Sequence, residues 1–267
     1  MEKNSPDWSL LLEDALTIPG KLSQAYRVFH RYSLGNQILA TLQLSWRDLP
    51  ISPIASFGKW KELGRSVKKG AKALELVMPV TIKGKLKTDK TAVEPESEKS
   101  GTGYTVFLLK KNWFSLEQTE GADFVQEPVS MNWDKKQALA SLSISEVSFE
   151  EVDGNCQGYA IPNRKTVAIN PLAAMPWKTL FHEIGHCILH SDEGQLADGQ
   201  SMTTCIKEAE AEAVAYLCCA TLELPGMEES RGYIQSWLSG QKLPEKSAQR
   251  IFSAADKILK AGSPAAE

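Results

Sequence analysis

The sequence lacks the features that would place it in a membrane. No stretch approaches the roughly 18 uninterrupted apolar residues that a spanning helix needs. The first seven residues are polar and contain no apolar signal core. We therefore expect a cytoplasmic protein with no membrane partner.

Cysteine is scarce, and its pattern does not indicate disulfides. The five cysteines are odd in number, irregularly spaced and mostly in apolar surroundings. We therefore expect reduced core residues rather than a disulfide framework. With 42% apolar and 24% charged residues, the 267-residue chain is long enough for one large or two modest domains.

Histidine is also rare, with four in the chain, and two of them belong to an H-E-x-x-H motif at 182–186. Pro176 suits the first turn of a helix that contains this motif. Residues four apart share a helix face, so His182 and His186 can bind one metal ion. Glu183 lies within reach of a water on that metal, as in a zinc hydrolase with a carboxylate general base. A core helix with merely hydrogen-bonded histidines is disfavoured, because burying such polar groups is costly.

A third ligand is expected, since a catalytic zinc usually takes three protein ligands and leaves one position for water. Residues 207–217, rich in Ala, Glu and Leu, predict a second helix on which Glu208 and Glu212 share a face. We assign Glu208 as the third ligand and Glu212 as the acceptor of a hydrogen bond from a ligand histidine. On the spacing alone the reverse assignment stays open, as does an amphipathic helix with a solvated acidic face.

The net charge of −3 hides a division of charge along the chain. Residues 21–90 contain 14 Lys plus Arg against 4 Asp plus Glu, a net of +10, and the remainder contains 16 against 29, a net of −13. This division indicates two functional parts, one of which meets a polyanion. Within the basic part, residues 83–103 are charged and nearly free of large apolar side chains, which is typical of a mobile insertion.

Cations and aromatic residues are interleaved in the basic part. Such a mixture suits a single nucleic-acid strand, because cations follow phosphates and aromatic faces stack on unpaired bases. The candidates for DNA binding are Arg31, Tyr32, Trp60, Arg65, Lys68, Lys69 and Lys72. A solvated basic surface with its aromatic residues in the core explains the composition equally well.

Several motifs, in order, resemble those of the ArdC-type antirestriction family. The sequence RYSLGNQIL at 31–39 resembles the family's YS-x-x-N signature, and this resemblance adds Asn36 to the DNA-binding candidates. The sequence WKELGRSVKKGAK at 60–72 resembles its W-x-x-x-G-R-x-V-x-K-G-x-K segment, and FSLEQTEG at 114–121 is similar to its F-D-x-x-Q-T-x-G element. The H-E-x-x-H helix and the glutamate-rich helix follow in the family's order.

The resemblance implies an α+β fold in two domains. Residues 1–128 would form a mixed helix/sheet domain that binds single-stranded DNA. Residues 129–267 would form a zincin-like metallopeptidase domain with an HExxH helix. This second part also resembles the ImmA/IrrE group of HExxH proteins, which favours Glu208 over Glu212 as the third ligand.

The function implied is that of an antirestriction protein of a mobile element. It would bind single-stranded DNA and hold Zn²⁺ on His182, His186 and Glu208. With Glu183 as general base, it would cleave an unidentified protein substrate. Two alternatives stay open: a non-catalytic DNA-coating protein with a structural or vestigial metal site, and a regulatory peptidase that cleaves a repressor.

Overall fold

The protein is described from a computed structural model. The described residues are 5–17, 19–82, 104–126, 131–150, 155–192, 203–227, 232, 234 and 243–264. The expected insertion at 83–103 lies outside them. The helices are α1 Trp8–Thr17, α2 Pro19–Phe29, α3 Leu34–Ser45, α4 Phe57–Glu62, α5 Lys135–Leu142, α6 Pro176–Leu189, α7 Thr204–Thr221 and α8 Glu245–Gly262. The strands are β1 Ile54–Ser56, β2 Arg65–Val67, β3 Leu74–Ile82, β4 Tyr104–Ser115, β5 Thr119–Gly121, β6 Ser145–Glu146, β7 Gly158–Ile161 and β8 Thr166–Ile169.

The N-terminal half contains a three-stranded antiparallel sheet in the order β1-β4-β3, which packs against α3. Two amide side chains one heptad apart attach α3 to the outer edge of β3. Asn36 bonds to both the N–H and the C=O of Val77, at 2.8 and 2.9 Å. Gln43 does the same for Glu75, at 2.9 and 2.8 Å. These side chains satisfy backbone groups that a neighbouring strand would otherwise take.

The C-terminal half contains a second sheet, in the order β6-β8-β7. β7 and β8 form an antiparallel hairpin that is joined through a 3₁₀ turn at 162–164. β6 adds parallel to β8 on the other side. α6 packs against this sheet on one side and against α7 on the other. The fold is therefore α+β in both halves.

One hydrophobic core includes helices from both halves of the chain. Leu12 of α1 and Leu22 of α2 belong to the same buried cluster as Tyr216 of α7 and Ile258 of α8. The hydroxyl of Tyr216 donates a hydrogen bond of 2.9 Å to the carbonyl oxygen of Leu16 in α1. The division into 1–128 and 129–267 stays a prediction, and any such division would cut through this shared core.

The cysteines agree in part with their expected state. All five are free; Cys187, Cys218 and Cys219 are buried, whereas Cys156 is half-buried and Cys205 is exposed. Burial raises the pKa of both Cys187 and Cys219 to about 12, so these thiols remain protonated at neutral pH. None of the helices in the described ranges combines the length and apolar character needed to cross a bilayer.

Candidate metal centre and nucleic-acid face

The two helices that carry the expected metal ligands pack side by side. α6 begins with Pro176 at its first turn, where a missing N–H costs nothing. α7 begins after Thr203, whose hydroxyl accepts a hydrogen bond from the backbone N–H of Ile206. Gly185 of α6 faces α7, and a Cβ at this position would lie 3.4 Å from the Cα of Ala211. This is an ordinary van der Waals distance, so Gly185 marks the line along which α6 and α7 are in direct contact.

Three candidate ligands converge where α6 and α7 meet. Nε2 of His182 and Nε2 of His186 are 3.1 Å apart. The carboxylate oxygens of Glu208 lie 3.4 Å from Nε2 of His182 and 3.6 Å from Nε2 of His186. A tetrahedral zinc with bonds of about 2.0–2.1 Å separates its ligand atoms by about 3.3 Å. Two imidazoles and one carboxylate at these separations fit a divalent metal ion.

The charges at this cluster favour a cation. Burial would lower the pKa of His182, but hydrogen bonds to Glu208 and Glu212 outweigh it and raise that pKa to about 9. Hydrogen bonds from His182 and His186 hold the pKa of the Glu208 carboxyl well below its usual value. A metal ion would take the place of the imidazolium proton, because metal binding requires neutral imidazole.

Glu212 lies behind His182 and does not belong to the ligand triangle. Its Oε2 is 3.0 Å from Nδ1 of His182, and its Oε1 forms an ion pair of 2.8 Å with Nζ of Lys178. Nδ1 of His182 therefore donates to Glu212, which leaves Nε2 to point at the cluster. The structure places Glu208, rather than Glu212, beside the Nε2 atoms of both histidines.

Two further polar residues, His190 and Glu210, lie behind His186. Nδ1 of His186 is 2.8 Å from Nδ1 of His190, and Nε2 of His190 is 2.9 Å from Oε2 of Glu210. Both His190 and Glu210 are buried. Burial lowers the pKa of His190, which favours its neutral form. The sequence signal for this pair is His190, four residues after His186 on the same face.

Glu183 is buried beside the cluster. Burial raises the pKa of its carboxyl, the charges of His182 and His186 lower it, and Glu208 raises it. The pKa of Glu183 therefore depends on the charges of all three residues of the cluster. A buried carboxylate of raised pKa next to a cation site is the arrangement that general-base chemistry uses.

Two of the expected DNA-binding residues have structural roles, which corrects the sequence prediction. Trp60 is only 1% exposed, and its indole N–H donates to the carbonyl oxygen of Phe114 at 2.8 Å. As packed, its ring offers no face on which a base could stack. Asn36 is 7% exposed and is held by Val77 of β3. The sequence predicts that both residues contact DNA. In the structure, the side-chain N–H groups of both donate hydrogen bonds to backbone carbonyl oxygens of the protein itself.

Three more candidates are partly engaged within the protein. Arg65 donates to the hydroxyl and carbonyl oxygens of Thr119 and to the carbonyl oxygen of Ala122. The hydroxyl of Tyr32 donates to the carbonyl oxygen of Ile54 at 3.0 Å, and Nζ of Lys68 donates to a backbone oxygen at 2.8 Å. The contacts of Arg65 and Lys68 hold β2 against β5 and its preceding turn, whereas the contact of Tyr32 is with β1. Arg31, Lys69 and Lys72 are exposed.

The sheet of the N-terminal half borders an open groove of about 680 Å³. Among its lining residues are three lysines (Lys59, Lys110 and Lys111) and two aromatic side chains (Tyr32 and Trp113). Phe57 and Phe107 are exposed nearby on α4 and β4. Of these lining residues, only Tyr32 is among the DNA-binding candidates predicted from the sequence.

The chain is similar to one known protein domain and to two solved structures. Residues 12–107 match the model of the N-terminal domain of anti-restriction factor ArdC. The metal-free crystal structure of the antirestriction protein ArdC from plasmid R388 aligns with a TM-score of 0.52 and 20% identity, over 96% of this chain and 94% of that one. Its Mn(II)-bound crystal structure aligns with a TM-score of 0.56 and 17% identity, over 98% and 100%. No curated protein sequence matches the chain.

The match to the domain model and the alignments of the solved structures both indicate a likeness to ArdC. The match to the ArdC N-terminal domain covers α2, α3, β1 and β3 and ends at Phe107 within β4. The structural alignments extend this likeness along nearly the whole length of both chains. Residues 12–107 therefore match the ArdC N-terminal domain, and the chain shares its overall fold with the ArdC of plasmid R388.

Proposed function

We propose that this protein is an antirestriction protein that binds single-stranded DNA and carries a zinc-dependent peptidase site in a zincin-like domain. The observation that carries the proposal is the approach of His182, His186 and Glu208 ligand atoms to within 4.8 Å of one another. The R388 relative, which shares the fold, is named an antirestriction protein and has been crystallised with Mn(II). The name of this relative supports a role in antirestriction. The arrangement of His182, His186 and Glu208 supports metal-dependent chemistry.

His182, His186 and Glu208 would hold the metal. Two histidines and a glutamate are a donor set of catalytic zinc sites, and nitrogen donors bind Zn²⁺ more tightly than Mn²⁺. Zinc in such a centre supplies Lewis acidity, which makes water more acidic and polarises a carbonyl group. We therefore propose Zn²⁺ as the resident ion.

Glu183 would serve as general base. Burial raises the pKa of its carboxyl, and a carboxylate of higher pKa accepts a proton from water more readily. After attack on the peptide carbonyl, the same carboxyl would deliver the proton to the departing amine. Glu212, bound to His182 and Lys178, would keep the first ligand fixed during these steps.

The substrate would lie along β7, an outer strand of the described C-terminal sheet. Gly158 of β7 lies against Thr179, with no room for a Cβ, so the strand approaches α6 one turn before His182. An extended peptide could add to the free edge of this strand through main-chain hydrogen bonds. The carbonyl to be cleaved would then pass close to the metal ligands.

A single DNA strand would bind in the groove of the N-terminal half. Lys59, Lys110 and Lys111 supply positive charge for phosphates, and Tyr32 supplies an aromatic edge. The exposed ring of Phe107 offers a face on which an unpaired base can stack. Arg31, Lys69 and Lys72 remain proposed contacts on the basis of their exposure.

Metal analysis tests the site directly. We expect one zinc per purified wild-type chain and none in His182→Ala or Glu208→Ala, while Glu183→Gln should keep the metal. Glu223→Gln, which changes an exposed ion pair with Arg27, is the matched control. Retention of zinc by both ligand variants would contradict the proposed centre.

Protection of unmodified DNA from restriction in cells separates catalysis from coating. Glu183→Gln should abolish protection that depends on proteolysis while leaving DNA affinity unchanged. Lys110→Glu with Lys111→Glu should weaken binding of an oligonucleotide and reduce its salt dependence. Lys246→Glu with Lys257→Glu, an equal charge change on exposed positions of α8, is the control. Full protection by Glu183→Gln would leave only the DNA-coating role.

A further inference from the structure

A second groove, of about 320 Å³, lies between α1 and α3. Positions 7, 10, 11 and 14 line it from the side of α1, and positions 39, 42, 43 and 46 line it from the side of α3. Both sets follow the spacing i, i+3, i+4, i+7, which places each set on one face of its helix. The second groove therefore runs along two helices for about two turns, or about 10 Å.

The second groove has an apolar floor and an apolar rim. Leu11, Leu39 and Leu42 line it and are at most 8% exposed. Leu10 and Trp46 also line it, but they are 46% and 69% exposed. Large apolar side chains that are exposed together, rather than singly, mark interaction sites, and tryptophan is prominent among the residues that dominate binding.

The charged residues that line the second groove are all acidic. They are Asp7, Asp14 and Glu75, and none of the described lining residues is a lysine or an arginine. Glu75 forms an ion pair of 3.2 Å with Lys111 of β4, and Oδ1 of Asp7 accepts a hydrogen bond from the backbone N–H of Leu10 at 3.1 Å. A negative lining repels phosphates and attracts cationic side chains. Trp46 is therefore placed for a basic protein segment rather than for a DNA strand.

The second groove and the groove proposed for DNA lie on opposite faces of the β3–β4 pair. Glu75 and Leu109 line the second groove, whereas Met78 and Lys110 line the groove proposed for DNA. Side chains an odd number of positions apart on a strand point to opposite faces of the sheet. A partner in the second groove therefore leaves the groove proposed for DNA accessible.

We propose that the second groove binds an amphipathic helix of a partner protein. The apolar stripe of that helix packs on the leucines and on Trp46, and its lysine or arginine side chains face the acidic residues. A helix fits because its own apolar residues at i, i+3, i+4 and i+7 extend over the same two turns. Trp46 is the main anchor, because its exposed ring buries the most apolar surface when the groove is filled. The inference goes beyond the proposed function and requires neither metal nor DNA.

Binding of a synthetic helical peptide tests this proposal. The probe is a fluorescently labelled peptide of leucine and lysine, about 14 residues or four turns long, with its leucines spaced at i, i+3, i+4 and i+7. The same peptide with glutamate in place of lysine is the charge control. By fluorescence anisotropy we expect saturable binding of one lysine peptide per chain, and binding of the glutamate peptide about tenfold weaker or less. Equal affinity for both peptides would overturn the proposal.

Three variants locate the peptide on the protein. Trp46→Ala should weaken binding of the lysine peptide about 30-fold, the loss that a central tryptophan produces. Leu172→Ala removes an 89% exposed leucine from the C-terminal half and should leave the affinity unchanged, so it is the matched control. Asp14→Lys should weaken binding of the lysine peptide and strengthen binding of the glutamate peptide. Wild-type affinity in Trp46→Ala would overturn the proposal, and this variant should stay folded because the ring it removes is largely exposed.

Three further measurements distinguish a partner helix from other occupants of the second groove. A wild-type dimer in sedimentation that Trp46→Ala dissociates would assign the groove to a second copy of the chain. A loss of affinity for a single-stranded oligonucleotide in Trp46→Ala would assign it to nucleic acid. Peptide binding that requires deletion of residues 1–4 would assign it to the chain's own N-terminal segment. Each of these results overturns the proposal, and we expect a monomer, unchanged affinity for the oligonucleotide and peptide binding by the full chain.

Discussion

Oε2 of Glu212 lies 3.0 Å from Nδ1 of His182, and the same carboxylate pairs with Lys178 at 2.8 Å. The side chains of Lys178 and Glu212 are 13% and 7% exposed. Glu212→Gln breaks a buried ion pair by removing the negative charge that faces Lys178, which costs about 3–5 kcal/mol. We therefore expect a marked drop in the free energy of unfolding of the metal-free protein in urea, and weaker zinc binding.

The matched control for Glu212→Gln is Glu223→Gln. Glu223 pairs with Arg27 at 2.7 Å, but both side chains are more than half exposed. Such surface pairs contribute about 0–1 kcal/mol. Equal stability losses in the two variants would show that the buried pair with Lys178 contributes no more to stability than the exposed pair does.

The metal-free protein should lose stability as pH rises above neutral. Hydrogen bonds to Glu208 and Glu212 raise the pKa of His182 to about 9 in the folded chain, against 6.5 for the unfolded chain. A raised folded pKa gives a contribution that is fully present below about 6.5 and is lost as pH rises through about 9. Urea unfolding from pH 6 to pH 9.5 measures it, and His182→Gln should flatten the profile.

Zinc binding should release a proton from His182. At pH 7 this imidazole is protonated, and the metal requires its neutral form. We expect about one proton per zinc at pH 7, with apparent affinity rising about tenfold per pH unit until pH approaches 9. Calorimetry in buffers of different ionisation enthalpy measures the proton count. Zinc binding without proton release would contradict the raised pKa.

Substitution of Trp60 should damage stability rather than DNA contacts. The ring is fully buried in the N-terminal half, and its N–H is bonded to the backbone of β4. Removal of a buried tryptophan side chain in Trp60→Ala costs about 3–5 kcal/mol. The milder Trp60→Phe should remain folded and bind an oligonucleotide as wild type does. A large loss of affinity in folded Trp60→Phe would restore the stacking role expected from the sequence.

A fragment of residues 1–128 should not fold on its own. Leu12 and Leu22 face α7 and α8 in the shared core, and separation would expose them to water. We expect a fragment that binds hydrophobic dyes and unfolds without a cooperative transition. A fragment with a sharp thermal transition and wild-type DNA affinity would instead establish 1–128 as an independent domain.

Local periodicity explains what could be predicted from the sequence. The spacing of His182 and His186 is a property of one helix, and Glu208 and Glu212 follow the same rule on another. Pro176 begins α6, as expected for a proline in the first turn of a helix. In each case the deciding contacts are between residues a few positions apart.

Tertiary contacts explain what could not be predicted. Asn36 and Trp60 lie in a basic segment, and both can form hydrogen bonds. Their partners are backbone atoms of β3 and β4, which are distant in sequence, so the neighbouring residues do not reveal these contacts. Lys110 lines the groove only because β4 continues past Leu109. Glu210 contacts His190 only because α6 packs on α7, which the spacing of residues on one helix does not show.

The hydrogen bond from Tyr216 to Leu16 ties the helix that carries Glu208 to the beginning of the chain. A ligand that binds only the native state stabilises every segment that unfolds together with its site. Zinc should therefore slow amide exchange in β3 and β4, and an oligonucleotide in the groove should slow it in α7. By thermodynamic reciprocity, each ligand would then strengthen the binding of the other.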